Sequence, residues 1–329
     1  MLDKSFIFST IVAFGISALL GPLMIPVLTR LKIGQTVRTE GPESHLKKNG
    51  TPTMGGILIL GGFFVSLALY FILTFVTGNG ARGHEEIVPV MILTIGFGLV
   101  GFIDDYIKVV RKQSEGLKAW QKMGLQIIVT TAFLMYMLTI SKSSLESLIP
   151  FTGGSTVDIG WIAIPLLYFV VLGTDTGANF TDGLDGLATS VTMVITLFFA
   201  MAGATLGVEV GYIAGAMFGG LMGFLLFNAY PAKVFMGDTG ALALGGFVAG
   251  MAYVLKMPII LVIVAFIYVA EVLSVILQVG YFKITKGKRL FKMAPIHHHF
   301  EKCGMKETKV VALFTIVTIC CCLIAYLAL

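Results

Sequence analysis

The chain is patterned as long, uninterrupted apolar runs separated by short polar segments. A helix that crosses the hydrocarbon core of a bilayer needs about 20 predominantly apolar residues. The runs here are continuous and do not alternate, which favours helices over the strands of a barrel. We therefore predict an all-α integral membrane protein with about ten transmembrane helices. The predicted spans are residues 6–28, 54–76, 87–103, 123–140, 160–173, 187–206, 208–227, 240–256, 258–280 and 310–328.

Three local features refine this pattern. The fifth and eighth predicted spans are short and contain or abut Pro165 and Pro258, so we expect them to be tilted or partly broken. Almost nothing separates the sixth span from the seventh, which predicts a tight hairpin. The first apolar run has no small-residue cleavage site, so it is predicted to be a retained helix and not a signal peptide.

Composition supports a membrane protein. Hydrophobic residues make up 57% of the chain and charged residues 12%, with a mean hydropathy of +0.93, whereas soluble domains carry about 25% charged residues. The formal charge of +5 requires no nucleic-acid partner, because the basic residues flank the spans. The four cysteines suggest no disulfide framework. We expect a single polytopic domain over residues 1–329.

The basic residues predict the orientation. Of the 23 Lys and Arg residues, all but Lys4, Arg82, Lys142 and Lys256 fall in alternate loops. The positive-inside rule places those loops in the cytoplasm and both termini on the periplasmic or extracellular side. The cytoplasmic loops are predicted to be residues 29–53, 104–122, 174–186, 228–239 and 281–309.

Acidic residues cluster in three of these cytoplasmic loops. Any one cluster could simply cap or connect helices, but their common face favours one phosphate and metal site. Five close carboxylates would repel each other, which implies at least one divalent cation. Mg²⁺ fits best because it takes carboxylate and phosphate oxygens. The five carboxylates are Asp104, Asp105, Asp182, Asp185 and Asp238.

Local spacing adds detail to two of the clusters. Asp182 and Asp185 are three residues apart, so in a helix they would share a face with the amide of Asn179. Lys108 lies three residues after Asp105, about one helical turn, which suits a cation and an anionic ligand together.

Two further features could carry chemistry. Residues 297–299 are three consecutive histidines, which cannot all face one metal from a regular element, and a structural zinc site would usually bring cysteines. Phosphate contact or acid–base work is the favoured interpretation, and plain surface residues are the alternative. Glu271 is an intramembrane carboxylate, either functional or part of a structural ion pair whose partner the sequence does not identify.

Glycines recur every four residues in the seventh span and line one helix face. Small residues at this spacing let two helices approach closely, within one protomer or between two. We expect packing and not chemistry from this set, which is Gly211, Gly215, Gly219 and Gly223.

Together the polar motifs resemble those of the polyprenyl-phosphate N-acetylhexosamine-1-phosphate transferases. Residues 51–56 and 294–299 favour the branch that transfers phospho-N-acetylmuramoyl-pentapeptide, and the resemblance runs from about residue 38 to the last span. It implies a ten-helix bundle in the bacterial cell membrane, usually a homodimer. It also implies that UDP-N-acetylmuramoyl-pentapeptide and undecaprenyl phosphate give lipid I and UMP with Mg²⁺. The motifs lie at residues 104–108, 179–188, 235–240 and 297–299.

The resemblance also implies roles for single residues. Asp238 and Asp104 would bind Mg²⁺, and Asp104 or Asp105 would be the base or position a phosphate. His297 and His298 would lie beside the diphosphate. The remaining substrate-binding residues would be Lys48, Thr53, Lys108, Lys122, Asn179, Asp182, Gly183, Leu184, Asp185, Phe235 and His299. This chain has Thr176 where the family often has Asn, which puts one contact in doubt.

A phosphate monoester has a second pKa of about 6 and is largely ionised at neutral pH. We therefore expect direct attack by the lipid phosphate, with a covalent aspartyl intermediate left open. A cation-coupled transporter is the alternative from another class, but it would hold its carboxylates near the midplane. A sister transferase that uses UDP-N-acetylglucosamine is the closer alternative. The third residue of the peptide, the number of metals and the dimer interface stay open.

Overall fold

The computed structural model describes residues 3–30, 50–77, 84–111, 115–141 and 145–329. Within these ranges the protein is mostly helical, as the apolar runs predict. The helices are α1 (Lys4–Arg30), α2 (Gly56–Val76), α3 (His84–Arg111), α4 (Ala119–Thr139), α5 (Ala163–Thr181), α6 (Leu187–Leu206), α7 (Gly211–Asn228), α8 (Gly237–Val254), α9 (Leu261–Val264), α10 (Phe266–Ile284), α11 (Ile296–Lys302) and α12 (Glu307–Leu327).

A small β-hairpin departs from the predicted all-α fold. Strands β1 (Ser147–Leu148) and β2 (Thr156–Val157) pair antiparallel. The backbone N–H of Leu148 also donates to the carbonyl of Lys256 at 2.7 Å. The hairpin is thereby fixed just beyond the C-terminal end of α8.

Nine of the ten predicted spans each coincide with one helix, and the ninth falls on α9 and α10. The helix of the eighth span differs in character from the rest. In the described part of the chain, nine helices are long and apolar enough to cross a membrane, and α8 is not one of them. Helix α8 is rich in Gly and Ala, and all its residues from Thr239 to Tyr253 are buried. A helix buried on every face lies inside the bundle and needs no lipid-facing surface.

Close backbone contacts hold α8 at the centre. A Cβ added at Gly56 in α2 would lie 2.3 Å from Cα of Gly240, and one added at Gly101 in α3 would lie 2.1 Å from the carbonyl oxygen of Asp238. A Cβ at Gly245 would lie 2.5 Å from Cα of Asp175 in α5. Small residues at these crossings bring α2, α3 and α5 against the first turns of α8.

Two predicted boundaries are wrong, and for the same reason. The predicted loops at 104–122 and 174–186 begin inside helices, since α3 continues to Arg111 and α5 to Thr181. The polar residues there include Asp105 and Asp175, which are 2% and 0% exposed. Because they face the bundle interior, the helices continue past the point where the sequence turns polar.

The breaks in the helices also differ from the prediction. Pro165 lies in the first turn of α5, where proline is tolerated, and α5 and α8 are continuous. The ninth predicted span is the one that is divided. Helices α9 and α10 meet at Ala265, whose ψ of 32° departs from helical values.

The glycine-lined face of α7 packs within the protomer. A Cβ added at Gly215 would lie 2.3 Å from the carbonyl oxygen of Phe6, and one at Gly219 would lie 2.2 Å from that of Thr10. Helices α1 and α7 therefore touch along their backbones. The predicted tight hairpin between α6 and α7 is also present, as a four-residue link at 207–210 that starts with Gly207 at φ +71°.

Both described chain ends lie at one end of the bundle. The hydroxyls of Thr205 in α6 and Tyr326 in α12 are 2.9 Å apart, and a Cβ at the first residue of α7 would lie 3.2 Å from Oγ of Ser5. Leu255, just after α8, lies at this same end, because a Cβ added at Gly203 would be 3.8 Å from its Cδ2. The N-terminus of α8 therefore lies at the opposite end.

Candidate active site

The last turns of α3 present two adjacent buried carboxylates to α8. Asp105 lies against the N-terminus of α8, where its Oδ1 accepts from the backbone N–H of Asp238 at 3.2 Å. Its Oδ2 accepts from Thr239 twice, from the backbone N–H at 2.9 Å and from Oγ1 at 2.7 Å. A carboxylate at a helix N-terminus satisfies free N–H groups and complements the helix dipole. Asp105 thus holds the first turn of α8 in place.

Asp104 faces the segment between α3 and α4. Its Oδ1 accepts from the backbone N–H of Leu117 at 2.7 Å, and its Oδ2 lies 2.6 Å from Nζ of Lys108. A Cβ added at Gly116 would lie 2.5 Å from the Asp104 carboxylate, so this segment passes directly over it. Nζ of Lys108 also lies 3.7 Å from Oδ1 of Asp105, so the lysine pairs with both acids across one turn, and the predicted binding of a cation and an anionic ligand here stays a prediction.

Asp238 lies at the centre of the polar cluster. Its Oδ2 accepts from Nζ of both Lys108 and Lys122 at 3.0 Å, and its Oδ1 accepts from Nδ2 of Asn179 at 3.0 Å. The side chains of the two lysines and of Asp238 are 20–26% exposed. An anionic ligand can therefore reach the lysines from outside.

Oxygen atoms of three carboxylates converge closely enough to share a cation. In the part of the chain that the structure describes, ligand atoms of Asp104, Asp105 and Asp238 lie within 4.8 Å of one another. Carboxylate oxygens are the ligands that Mg²⁺ prefers. Two lysine ammonium groups balance two of the three negative charges, so the trio keeps an excess negative charge when all three acids are ionised. The donor set fits a hard divalent cation.

The turn between α5 and α6 supplies a fourth acid. Asp182 accepts a hydrogen bond from the backbone N–H of Gly237. Burial raises the pKa of the Asp182 carboxyl well above its usual range, and the Asp238, Asp105 and Asp185 carboxylates raise it further. Ionisation of a further carboxyl group here is therefore unfavourable, and a bound cation would lower that free-energy cost.

Residues 182–186 are a turn, so Asp182 and Asp185 do not share a helix face as their spacing allowed. Asp185 is 5% exposed, and its Oδ2 accepts from the backbone N–H of Ala232 at 2.9 Å. Its own N–H donates to Glu307 at 2.8 Å. Leu184 is 4% exposed and belongs to the hydrophobic core. Asp185 and Leu184 therefore tie the turn to its neighbours, and the nucleotide contacts that the resemblance implies for them stay a prediction.

Thr53 and Phe235 lie on two segments that pair beside the cluster. The N–H of Phe235 donates to the carbonyl of Pro52, and the carbonyl of Phe235 accepts from the N–H of Gly55, both at 2.8 Å. Thr53 is 7% exposed, and its Oγ1 would lie 2.8 Å from a Cβ added at Gly237. The start of α2 is thereby joined to the start of α8. Lys48 lies outside the described residues.

The three histidines diverge, as expected for consecutive residues. His297 is 1% exposed, and its Nδ1 lies 2.9 Å from Oε1 of Glu271. His298 is paired through Nδ1 with Glu301 at 2.8 Å. His299 has a third partner, since its Nδ1 accepts from the backbone N–H of Lys292 at 3.1 Å. His297 lies against the turn that carries Asp182, because a Cβ added at Gly183 would lie 2.2 Å from its Nε2.

Several residues of this region were not predicted from sequence. Thr239, which holds Asp105, is one of them. Glu271 was predicted to be functional or to form a structural ion pair, but its partner His297, 26 positions away, was not identified. A second buried layer lies one turn below Asn179. There Asp175 is 0% exposed and accepts a short hydrogen bond from Gln126. Asp175 opens the acidic stretch in the sequence, but its position gave no sign of this contact.

Comparisons with known proteins agree with this architecture. Residues 87–256 match glycosyl transferase family 4, and residues 48–60 match phospho-N-acetylmuramoyl-pentapeptide-transferase signature 1. The chain is 48% identical to the phospho-N-acetylmuramoyl-pentapeptide-transferase of Acetivibrio thermocellus, over 98% of this chain and 95% of the relative. It is 46% identical to the transferase of the same name from Clostridium perfringens strain 13, over 100% of both chains. For the Clostridium novyi protein of that name the identity is 47%, over 98% of this chain and 96% of the relative.

Similarity at this level spans both the helical bundle and every segment that builds the cluster. The chain therefore belongs to the phospho-N-acetylmuramoyl-pentapeptide-transferase family.

Proposed function

We propose that this protein transfers phospho-N-acetylmuramoyl-pentapeptide from UDP-N-acetylmuramoyl-pentapeptide to undecaprenyl phosphate. The products are lipid I and UMP, and the reaction is the first membrane step of peptidoglycan synthesis. The protein is a multi-pass transferase of the bacterial cell membrane, as its family and apolar helices indicate. The observation that carries the proposal is the cluster at the N-terminus of α8, where acids and lysines meet at one end of the bundle.

Mg²⁺ is the proposed cofactor, with Asp238 and Asp104 as its ligands. When bound, the ion would supply positive charge to the diphosphate of the donor, where phosphoryl transfer gains most. Asp105 is assigned a different role. Because it already accepts three hydrogen bonds from residues 238 and 239, it sets the position of Asp238.

Lys108 and Lys122 are proposed to bind the phosphates of the donor. Both ammonium groups lie 3.0 Å from the same oxygen of Asp238, and both are partly exposed. They form a pair of cations on a rigid support, which suits an anion with two phosphate groups. Binding both reactants at this surface also removes much of the entropic cost of their encounter.

The proposed reaction is a direct displacement at phosphorus. An oxygen of the lipid phosphate attacks the phosphorus that carries the sugar, a new P–O bond forms, and the bond to UMP breaks. The attacking phosphate is already largely ionised at neutral pH. A side-chain base is therefore not required. The acids of the cluster hold the positively charged groups in place and do not remove a proton.

The nucleoside half of the donor is placed beside the turn at 182–186. The residues proposed to line it come from α5, this turn, α11 and the segments before α2 and α8. They are Thr53, Asn179, Asp182, Gly183, Leu184, Asp185, Phe235 and His299, together with Lys48, which lies outside the described residues. His297 and His298 complete the proposed catalytic set with Asp104 and Asp238, and Asp105 supports this set by positioning Asp238.

The proposed topology has ten spans, with α8 as the internal one. The acidic cluster faces the cytoplasm because the loops on its side carry most of the basic residues. Both chain ends would then face the outside, since they lie at the opposite end of the bundle. A single domain over residues 1–329 that assembles as a homodimer completes the proposal.

The test uses purified protein in detergent with undecaprenyl phosphate and Mg²⁺. UDP-N-acetylmuramoyl-pentapeptide and UDP-N-acetylglucosamine are offered separately, and UMP release is followed. Asp238→Asn is measured beside Asp158→Asn, a matched change at an exposed acid of the β-hairpin segment. We expect UMP from the muramoyl nucleotide only, lost in Asp238→Asn and kept in Asp158→Asn.

The contrary outcomes are equally specific. UMP from the N-acetylglucosamine nucleotide would move the protein to the sister transferases. If the protein still binds UMP but releases none from either nucleotide, the assignment as a transferase is refuted. Unchanged UMP release by Asp238→Asn would refute the assigned metal site.

A further inference from the structure

Helix α10 contains a buried carboxylate that the reaction scheme above does not use. Glu271 is 0% exposed, and its Oε1 lies 2.9 Å from Nδ1 of His297, which is 1% exposed. The two residues are 26 positions apart and join α10 to α11. A carboxylate is costly at such a position unless it is paired and hydrogen-bonded. His297 is the partner that the sequence did not identify.

The opposite edge of the His297 ring lies against the turn that carries Asp182. A Cβ added at Gly183 would lie 2.2 Å from Nε2 of His297 and 2.6 Å from its Cε1. Only glycine lets the imidazole edge come this close. Nε2 is buried and has no hydrogen-bond partner among the described residues. The ring is therefore fixed at Nδ1, while Nε2 faces the turn.

An ionised carboxylate can only accept a hydrogen bond, so an ionised Glu271 requires the proton of this contact to be on Nδ1 of His297. In the neutral imidazole this leaves a lone pair on Nε2. The neighbouring His298 shows the same arrangement, with its Nδ1 2.8 Å from Glu301 and its ring centroid 4.1 Å from that of His297. Two imidazoles are thus each oriented by a carboxylate at the same nitrogen.

We propose that Glu271 is a positioning residue that fixes the orientation and tautomer of His297, so that Nε2 accepts a hydrogen bond from the donor nucleotide at the Asp182–Gly183 turn. The group received is a hydrogen-bond donor, either a hydroxyl or an N–H of the nucleotide. This inference rests on the proposed function for the identity of the ligand. The tautomer itself does not depend on the ligand; it rests on the contact between Glu271 and His297 and on an ionised Glu271.

The first measurement is the tautomer of the wild-type protein in detergent, without substrate. Imidazole nitrogens are labelled with ¹⁵N, and the His297 signals are identified by their loss in His297→Asn. We expect a protonated Nδ1 and an unprotonated Nε2 that shifts on addition of UDP-N-acetylmuramoyl-pentapeptide. A proton on Nε2 in the wild type would overturn the proposal, with no Glu271 variant needed. An Nε2 signal that does not shift at saturating nucleotide would show that Nε2 does not contact the substrate, and it would overturn that part of the proposal.

The second measurement uses Glu271→Met, which keeps most of the side-chain length but removes the acceptor. We expect kcat to fall roughly 10- to 100-fold, as when the partner of an oriented histidine is lost, with KM changed less. The ¹⁵N signature should change in parallel. Ser274→Ala is the matched control, because Ser274 is also buried in α10 and bonds only to the backbone carbonyl of Glu271 in the described structure. It should keep both kcat and the tautomer.

A double-mutant cycle separates positioning from general stability. If Glu271 acts through His297, Glu271→Met should add no further loss in a His297→Asn background. Fully additive losses would refute the proposal. Its failure is also distinct from failure of the proposed function, because inactive wild type would reject the transfer reaction while the substrate-free tautomer still decides the role of Glu271.

Discussion

Replacing Asp105 by asparagine tests whether this residue holds α8 or reacts itself. Asp105 is 2% exposed and accepts from the N–H of Asp238 at 3.2 Å and from Thr239 at 2.9 and 2.7 Å. The single oxygen of asparagine can still accept both bonds from Thr239. Its NH₂ group then faces the N–H of Asp238, which places two donors against each other.

The size of the effect follows from these contacts. A buried donor without an acceptor costs about 1–3 kcal/mol, and loss of negative charge at a helix N-terminus costs about 0.3–1 kcal/mol more. Relief of repulsion from Asp104 and Asp238 opposes both. We expect a net destabilisation of about 1–3 kcal/mol. Because Asp238 lies in the turn that moves, a displacement of about 1 Å should lower kcat on the order of 100-fold.

The assay combines thermal unfolding in detergent without metal and UMP release with Mg²⁺. Thr239→Val is the control, since it deletes the 2.7 Å bond from Oγ1 and keeps the carboxylate. It should cost about 1 kcal/mol and reduce activity less than Asp105→Asn. An Asp105→Asn protein with wild-type Tm and no activity would refute the reasoning, because Asp105 would then act directly in the reaction.

Three further changes test the site and its support. Gly237→Ala should lower both Tm and kcat, because φ is +73° at this position and the new Cβ would lie 2.7 Å from a carboxylate of the cluster. Gly207→Ala is the control, since Gly207 has φ +71° but open space around it; this change should lower Tm slightly and leave kcat unchanged. Asp182→Asn should raise Tm near pH 7–8, because the raised pKa of Asp182 makes its ionisation destabilising, and the gain measured in EDTA should vanish as the pH falls toward about 4. Gly219→Ala should cost roughly 1–3 kcal/mol, because its Cβ would lie 2.2 Å from a carbonyl of α1, whereas Gly173→Ala, with nothing within 4 Å, should leave Tm unchanged or raised.

The long apolar runs located the helices well, because a lipid-facing surface must be apolar along a whole span. It failed where polar side chains turn inward. The ends of α3 and α5 hold Asp105 and Asp175 in a buried setting, and hydropathy cannot distinguish an inward polar residue from a solvated loop. The break at Ala265 has no proline or glycine to mark it.

The acids of the cluster were predicted from sequence, but the different contacts that each of them makes were not. Asp104 and Asp105 are adjacent and chemically identical, yet one faces Lys108 and the other caps α8. That difference depends on which way each side chain leaves the helix and on what packs there. The partners of His297 and Asp185 likewise come from 26 and 122 residues away, through Glu271 and Glu307. No local pattern reports such contacts.

The burial of α8 on all sides has a consequence for how the protein responds to its bilayer. Changes in lipid thickness or composition act first on the outward faces of helices such as α1, α10 and α12. Asp238 lies in the first turn of a helix enclosed by other helices, and Asp105 is hydrogen-bonded to that same turn. These two acids of the polar cluster are thereby kept away from the surrounding lipid. Lipid dependence of this transferase should then arise in the delivery of its membrane-borne acceptor and not in the geometry of its charged centre.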